Sequence, residues 1–102
     1  MIKVTVIDEE GLVADSVTIL VYNKEDHTIY DLSDYNDLGD LMTQRGEYTI
    51  FNDGYLRKVR GKIGRLVVEG EKDNLGFESE FTVSGDECHV FKISGPDTVV
   101  LN

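Results

Sequence analysis

Cysteine, proline and tryptophan are nearly missing from this chain. Its 102 residues include one cysteine, one proline and no tryptophan. The single cysteine, Cys88, excludes an internal disulfide, so the chain folds in a reducing compartment or needs no cross-link in an oxidising one. Without tryptophan, there is little material for an aromatic platform on which sugars stack.

Positive charge is also scarce. Ten Lys and Arg residues stand against 20 Asp and Glu, which gives a formal net charge of −10. This excess repels nucleic acid and anionic lipid headgroups, so we expect neither nucleic-acid binding nor membrane insertion. No apolar run approaches the roughly 20 residues of a membrane span. The first residues enter an alternating pattern at once, and we expect a cytoplasmic protein or an exported domain whose signal has been removed.

Apolar residues alternate with polar ones along most of the chain, which is typical of strands with one buried face. Turn sequences rich in Asp, Asn and Gly separate the alternating segments. The predicted strands cover residues 2–7, 17–22, 47–51, 54–59, 64–70, 76–83, 88–93 and 97–102. We predict one domain over residues 1–102, an all-β antiparallel Greek-key sandwich of seven to eight strands, prealbumin-like or immunoglobulin-like.

Residues 27–44 interrupt the alternation. Their apolar positions partly suit a helix, but the Asp, Asn, Ser and Gly content disfavours a stable one. We interpret this stretch as a strand ending near Tyr30, an acidic loop, and a short strand or turn near residues 40–43.

Several segments resemble the carboxypeptidase regulatory-like domain. Residues 4–23 are similar to the first hairpin of that family, and residues 64–83 are similar to its outgoing strand, loop and return strand. Residues 42–50, MTQRGEYTI, resemble the family segment Thr-Asp-x-x-Gly-x-Tyr/Phe-x-Ile/Leu. The matching residues are Thr43, Gly46, Tyr48 and Ile50. Gln44 stands where the family has Asp.

The resemblance implies a transthyretin-like (prealbumin-like) sandwich of seven strands. It also implies a non-catalytic accessory domain that stabilises, spaces or presents other modules and binds protein or carbohydrate. Hydrolases with the same fold need paired histidines, an arginine and a C-terminal Tyr-Arg-Gly-Ser segment. This chain ends in VVLN and has only His27 and His89, so the hydrolase motif is not met.

The acidic stretch 31–40 is the densest group of candidate metal ligands. Flexible loops rich in carboxylate and amide oxygens suit calcium, which takes six to eight oxygen ligands. The candidate ligands are Asp31, Asp34, Asn36, Asp37 and Asp40. An EF-hand loop starting at Asp34 would place Leu38 at its fifth position and Arg45 at its twelfth, where Glu is required. We therefore interpret the stretch as a solvated acidic loop, with a calcium site outside the EF-hand pattern as the alternative.

Half of the basic residues lie in one short segment. Residues 57–65 contain five of the ten and no acidic residue; we call them the basic segment, with its cations Arg57, Lys58, Arg60, Lys62 and Arg65. A hairpin at Gly61 and Gly64 would project alternate cations on one face. These could bind an acidic partner or the acidic loop of a second copy. Alternatively, they pair across strands with Glu69, Glu71, Glu78 and Glu80, and this is the reading that we favour.

No catalytic motif emerges from the pattern. Cys88 and His89 are adjacent, and adjacent strand residues point to opposite faces, so they cannot form a nucleophile and base pair. We expect Cys88 to be buried and His89 to have a structural role. Most aromatic residues alternate with polar ones and suit the core, whereas Tyr35 and Tyr55 lie in loop contexts suited to surface binding.

Taken together, the sequence predicts a non-enzymatic accessory or interaction module that needs no cofactor. It binds another protein or its own larger chain, or forms a homo-oligomer, with the basic segment and Tyr55 as the binding residues. The alternative is a calcium-dependent adhesion-like or carbohydrate-associated module that uses residues 31–40.

Overall fold

The computed structural model describes residues 1–32, 35–36 and 41–102. Within these ranges the chain forms eight strands, two short α-helices and one 3₁₀ turn. The strands are β1 (Ile2–Ile7), β2 (Thr18–Asn23), β3 (Ile29–Tyr30), β4 (Glu47–Phe51), β5 (Ile63–Lys72), β6 (Leu75–Gly85), β7 (Val90–Ser94) and β8 (Thr98–Val100). The helical elements are α1 (Leu41–Gln44), the 3₁₀ turn (Asp53–Tyr55) and α2 (Leu56–Val59).

The strands form two sheets, as the alternating pattern predicts. One sheet has five strands in the order β3-β2-β5-β6-β7, and the other has three in the order β4-β1-β8. The all-β sandwich is therefore confirmed. One pairing differs from the predicted antiparallel arrangement, since β1 and β8 run parallel, with Val6 opposite Val99.

The core lies between the two sheets. In β1 the alternate residues Ile2, Val4 and Val6 are buried, and in β5 the residues Leu66 and Val68 are fully buried. β1 thus buries one face, whereas β5 buries the face of Leu66 and Val68 and also Val67, which is 8% exposed on the other face. No helix in the described part of the chain has the length and apolar character needed to cross a membrane.

Two local predictions are wrong, and the turn expected near residues 40–43 takes a helical form. Residues 54–59, predicted as a strand, form the end of the 3₁₀ turn and α2. Residues 88 and 89 precede β7 instead of belonging to it. The short strand or turn expected near residues 40–43 is a helical turn over Leu41–Gln44.

The segment 42–50 leads into β4 and forms part of the core. The Tyr48 side chain is fully buried; its hydroxyl donates to the Ala14 carbonyl oxygen at 2.9 Å and accepts from the Val17 N–H at 3.1 Å. Gly46 has a φ of +78°, and a Cβ there would lie 2.8 Å from the Val6 carbonyl oxygen. These two residues therefore serve folding.

Candidate protein-interaction surface

The basic segment begins on α2, which is held by two buried side chains. Leu56 and Val59 are buried and lie three positions apart, so they share one side of the helical turn. Arg57 and Lys58 lie between them and are exposed. The Arg60 N–H donates to the Leu56 carbonyl oxygen at 2.8 Å and closes the turn.

The chain after α2 is fixed against the end of β6. The Gly61 N–H donates to the Gly85 carbonyl oxygen at 3.0 Å, and the Ser84 hydroxyl donates to the Lys62 carbonyl oxygen. A Cβ on Gly85 would lie 2.5 Å from Leu56 Cδ1, so α2 packs tightly on this strand end. The predicted hairpin around Gly61 is thus replaced by a helical turn and a bend docked on β6.

Four of the five cations of the basic segment form no ion pair with a described carboxylate. Lys58 still acts on Asp26, whose pKa is lowered first by its hydrogen bonds with Thr28 and to a smaller extent by the Lys58 charge. Arg65 Nη1 lies 3.6 Å from Glu25 Oε1. In the described part of the chain, no carboxylate oxygen lies within 4.0 Å of the side-chain nitrogens of the other four. Those four residues are Arg57, Lys58, Arg60 and Lys62, and all are exposed.

The glutamates expected to neutralise the basic segment do not pair with it. Glu80 Oε1 instead accepts from Lys24 Nζ at 2.6 Å, and Glu69 Oε1 accepts from the Tyr22 hydroxyl at 3.3 Å. The favoured interpretation, pairing across strands with the glutamates of β5 and β6, is therefore wrong. The positive charge of α2 and the following bend remains available to a partner.

Apolar side chains lie beside the basic segment on the five-stranded sheet. Ile63 and Phe91 are 68% and 46% exposed, and each is opposite Ser84 in the register. Ile93, at the bulge of β7, is 51% exposed. Phe91 was expected in the core because of its strand periodicity, and that expectation is wrong. The three residues add an apolar margin to the charged surface.

Tyr55 is placed differently from the prediction. It is half-buried, and its ring stacks on Phe51 with centroids 5.6 Å apart and meets Tyr30 edge-on at 4.9 Å. Its hydroxyl donates to the Asp31 carbonyl oxygen at 2.9 Å. Tyr55 therefore belongs to an aromatic cluster that supports the 3₁₀ turn, and the prediction that it binds a partner on the surface is not supported by this position. Tyr35, by contrast, is 46% exposed.

Two of the five candidate calcium ligands, Asp31 and Asn36, lie in the described part of the chain. Asp34, Asp37 and Asp40 lie outside the described residues. The Asn36 side chain is turned to β4, where Oδ1 accepts from the Thr49 N–H at 2.7 Å and Nδ2 donates to the Thr49 carbonyl oxygen at 2.8 Å. Within the described ranges, no three His, Cys, Asp or Glu side chains are placed to hold a metal ion.

Cys88 and His89 lie in a tight turn between β6 and β7. Asp86 Oδ1 accepts from the N–H groups of Cys88 and His89 at 2.8 and 2.7 Å. Cys88 is exposed, so the expectation that it is buried is wrong. The Asp86 side chain forms this turn by accepting from two backbone N–H groups. The Asp in the sequence SGDECH is a signal of such a turn.

Asp53 joins this turn to the start of α2. Its Oδ1 accepts from the Val90 N–H at 2.9 Å, and its Oδ2 lies 3.1 Å from His89 Nδ1. The Val90 N–H bond, and then the His89 bond, hold the pKa of the Asp53 carboxyl below its usual value. His89 thus contacts Asp53 at the surface, with a side chain that is 72% exposed.

Comparisons of the chain with protein-family models, with curated proteins and with solved structures find no match.

Proposed function

We propose that this chain is a non-catalytic β-sandwich interaction module that binds an acidic protein partner through its basic segment. The observation that carries the proposal is the set of four exposed cations on α2 and its following bend, none paired with a described carboxylate. The apolar margin of Ile63, Phe91 and Ile93 supplies area that a protein partner can bury.

Charge and rigidity both favour this use. A local positive surface on a chain of net charge −10 attracts acidic surfaces and steers their encounter. The backbone that bears Arg57 to Lys62 is fixed by its bonds to Gly85 and Ser84. A fixed backbone lowers the entropic cost of binding, since less has to be ordered when the partner arrives.

The resemblance to the carboxypeptidase regulatory-like domain supports the same proposal. Gly46 and Tyr48, which carry that resemblance, have folding roles in β4 and its turn. A fold maintained by such residues, with its cations held on one end, suits an accessory domain that presents a binding surface.

The test uses a fluorescent poly-glutamate peptide as the acidic probe, with fluorescence anisotropy at about 0.1 M salt. The double variant Arg57→Glu, Arg60→Glu is compared with the double variant Lys3→Glu, Arg45→Glu. Both variants lower the net charge by the same amount, but Lys3 and Arg45 lie outside the basic segment and are exposed. We expect the first variant to weaken binding at least about tenfold, because close like charges across an interface are repulsive.

The control variant should bind with less than about threefold change, since remote exposed charges are screened beyond about 10 Å. Equal losses in the two variants would show that only net charge matters. That outcome, or tight binding by the Arg57 and Arg60 variant, would overturn the proposal. Circular dichroism melts of both variants verify that the fold is kept.

A further inference from the structure

The outer face of the five-stranded sheet is divided by charge along its strands. We define this outer face as the residues of β5 that alternate away from the core, with their cross-strand partners. Each outward residue of β5 and its register partners on β2 and β6 form one row of this face. The middle row consists of Tyr22, Val67 and Glu80. On the side of the basic segment, the next row is Arg65 opposite Thr82.

The opposite half of the outer face is acidic. Glu69 lies in register between Leu20 and Glu78, and Glu71 lies in the row beyond. Glu69 and Glu78 are direct cross-strand neighbours, and like charges in that position destabilise a sheet. Their negative field, after the larger effect of burial, raises the pKa of the Tyr22 hydroxyl. This half of the face therefore favours a positive partner.

Exposed apolar side chains are distributed over both halves. Leu20 is 38% exposed at the acidic half, Ile29 is 65% exposed beside Tyr22, and Ile63 is 68% exposed at the basic half. An open groove of about 780 Å³ adjoins Leu20 and Glu69. The face thus combines apolar area with the cation Arg65 on one side of the middle row and carboxylates on the other, so a rotated copy can set opposite charges against each other. Arg65 lies 3.6 Å from Glu25, but its side chain is 62% exposed and can reach a second partner.

We propose that two copies of this chain associate through this outer face, about a two-fold axis that crosses the strands at the Val67 row. Such a rotation reverses the strand direction, because the axis runs perpendicular to the strands. Arg65 and Glu69 each lie one row from the middle row, so Arg65 of each copy faces Glu69 of the other. Contacts away from the axis are made twice, as a two-fold interface requires. Residues of the middle row meet their own counterparts, and Glu80, which would meet Glu80, is paired with Lys24 at 2.6 Å.

This inference rests on the proposed function, because it names a second copy as a protein partner of the basic segment at Arg65. The available area limits the size of the contact. β5 has 10 residues, and five strands at their usual spacing give on the order of 600 Å² per copy once the short edge strands are allowed for. That is somewhat below a standard interface, so the dimer is weak and forms at about micromolar or higher concentration.

The test is sedimentation equilibrium of four samples, namely the natural sequence, Arg65→Glu, Glu69→Arg, and an equimolar mixture of the two variants. Arg65→Glu places Glu against Glu69 twice in its own dimer, and Glu69→Arg places Arg against Arg65 twice. We expect each variant alone to dimerise at least about tenfold more weakly than the natural sequence. In the mixture, both contacts join opposite charges, so dimers should reappear.

Two further variants control for net charge and folding. Arg45→Glu and Glu87→Arg make the same charge changes at exposed positions outside the outer face, and they should dimerise like the natural sequence. Thermal melts confirm that Arg65→Glu and Glu69→Arg are folded. If either one is not, Arg65→Gln and Glu69→Gln replace the pair, with weaker dimerisation expected for each.

A natural sequence that stays monomeric up to about 1 mM would overturn the dimer, since even weak complexes form by then. So would dimers that are indifferent to Arg65 and Glu69, or a mixture that shows no recovery. If the poly-glutamate probe still binds the basic segment in that case, the proposed function stands and only the partner is wrong. If the probe also fails to bind, both are wrong.

Discussion

The side-chain amide of Asn36 forms two hydrogen bonds with the backbone of Thr49, one to its N–H and one to its carbonyl oxygen. Oδ1 accepts from the Thr49 N–H at 2.7 Å, and Nδ2 donates to the Thr49 carbonyl oxygen at 2.8 Å. β4 is an edge strand of the three-stranded sheet, and an edge strand presents unpaired backbone groups. The Asn36 amide therefore supplies hydrogen-bond partners to the Thr49 N–H and carbonyl oxygen at this edge, as a neighbouring strand would.

Replacing Asn36 by Ala should destabilise the fold by about 1–3 kcal/mol, because Thr49 is buried and would lose both partners. Asn36→Asp is the informative companion. The carboxylate keeps the acceptor for the Thr49 N–H but loses the donor, so it should also destabilise. Urea denaturation measures both effects, and an unchanged midpoint for Asn36→Ala would contradict this role.

Calcium should leave the melting temperature unchanged. Asn36 is one of the five proposed ligands, and its amide oxygen already accepts from Thr49. A ligand that binds only the native state raises stability by mass action, so a thermal melt with millimolar calcium and a chelator control tests the site. A rise of several degrees that magnesium does not produce would contradict this expectation and restore the calcium-dependent module as a candidate.

Gly46→Ala should be far more damaging than Gly11→Ala. Both glycines have positive φ, +78° and +86°, so both substitutions impose backbone strain of about 1–3 kcal/mol. At Gly46 the new Cβ would also lie 2.8 Å from the Val6 carbonyl oxygen and 3.0 Å from Val13 Cβ, whereas the Gly11 position is open. We expect the Gly46 variant to unfold at clearly lower urea. Similar midpoints for the two variants would show that the close approach to β1 is unimportant.

Asp53 should make stability depend on acid pH. Its pKa is lowered below the ordinary 3.8, first by the Val90 N–H and then by His89. A carboxyl with a lowered folded pKa stabilises the fold above its unfolded pKa, and that stability is lost as pH falls through the folded value. Urea midpoints measured between about pH 5 and about pH 2 should therefore fall less steeply in Asp53→Asn.

The Asn variant keeps an oxygen that can accept from the Val90 N–H, so it removes the titration with little change in geometry. Glu9→Gln, which removes one exposed carboxylate with no hydrogen bond or ion pair to a described residue, controls for net charge. An Asp53→Asn profile parallel to that of the natural sequence would show that Asp53 contributes nothing to the acid sensitivity.

Local patterns determine how far the sequence predicts this fold. β1 and β4 occupy the predicted residues 2–7 and 47–51, because alternation is a local signal that survives packing. The segment 54–59 forms a helical turn because Leu56 and Val59 have helical spacing, which the short alternating run in the sequence conceals. The parallel pairing of β1 with β8 joins distant parts of the chain, and no local pattern encodes it.

The candidate surface was only partly predictable for the same reason. The basic segment is visible in the sequence as five cations in nine residues. Of the two buried residues that hold α2, Leu56 directly precedes the segment and Val59 lies within it. Which glutamates reach it depends on tertiary distances, and Glu80 turns out to pair with Lys24. The exposure of Phe91 and the packing of Tyr55 against Tyr30 likewise depend on residues far away in the sequence.

The most direct test of the proposed function is an NMR titration of the ¹⁵N-labelled chain with the poly-glutamate peptide, recorded at a protein concentration too low for the proposed dimer. The account predicts that the amide shifts of residues 57–65 and the neighbouring 91–93 change most, while those of the turn 8–12 stay in place. Shift changes spread evenly over the molecule, or concentrated away from α2 and the start of β5, would contradict binding through the basic segment.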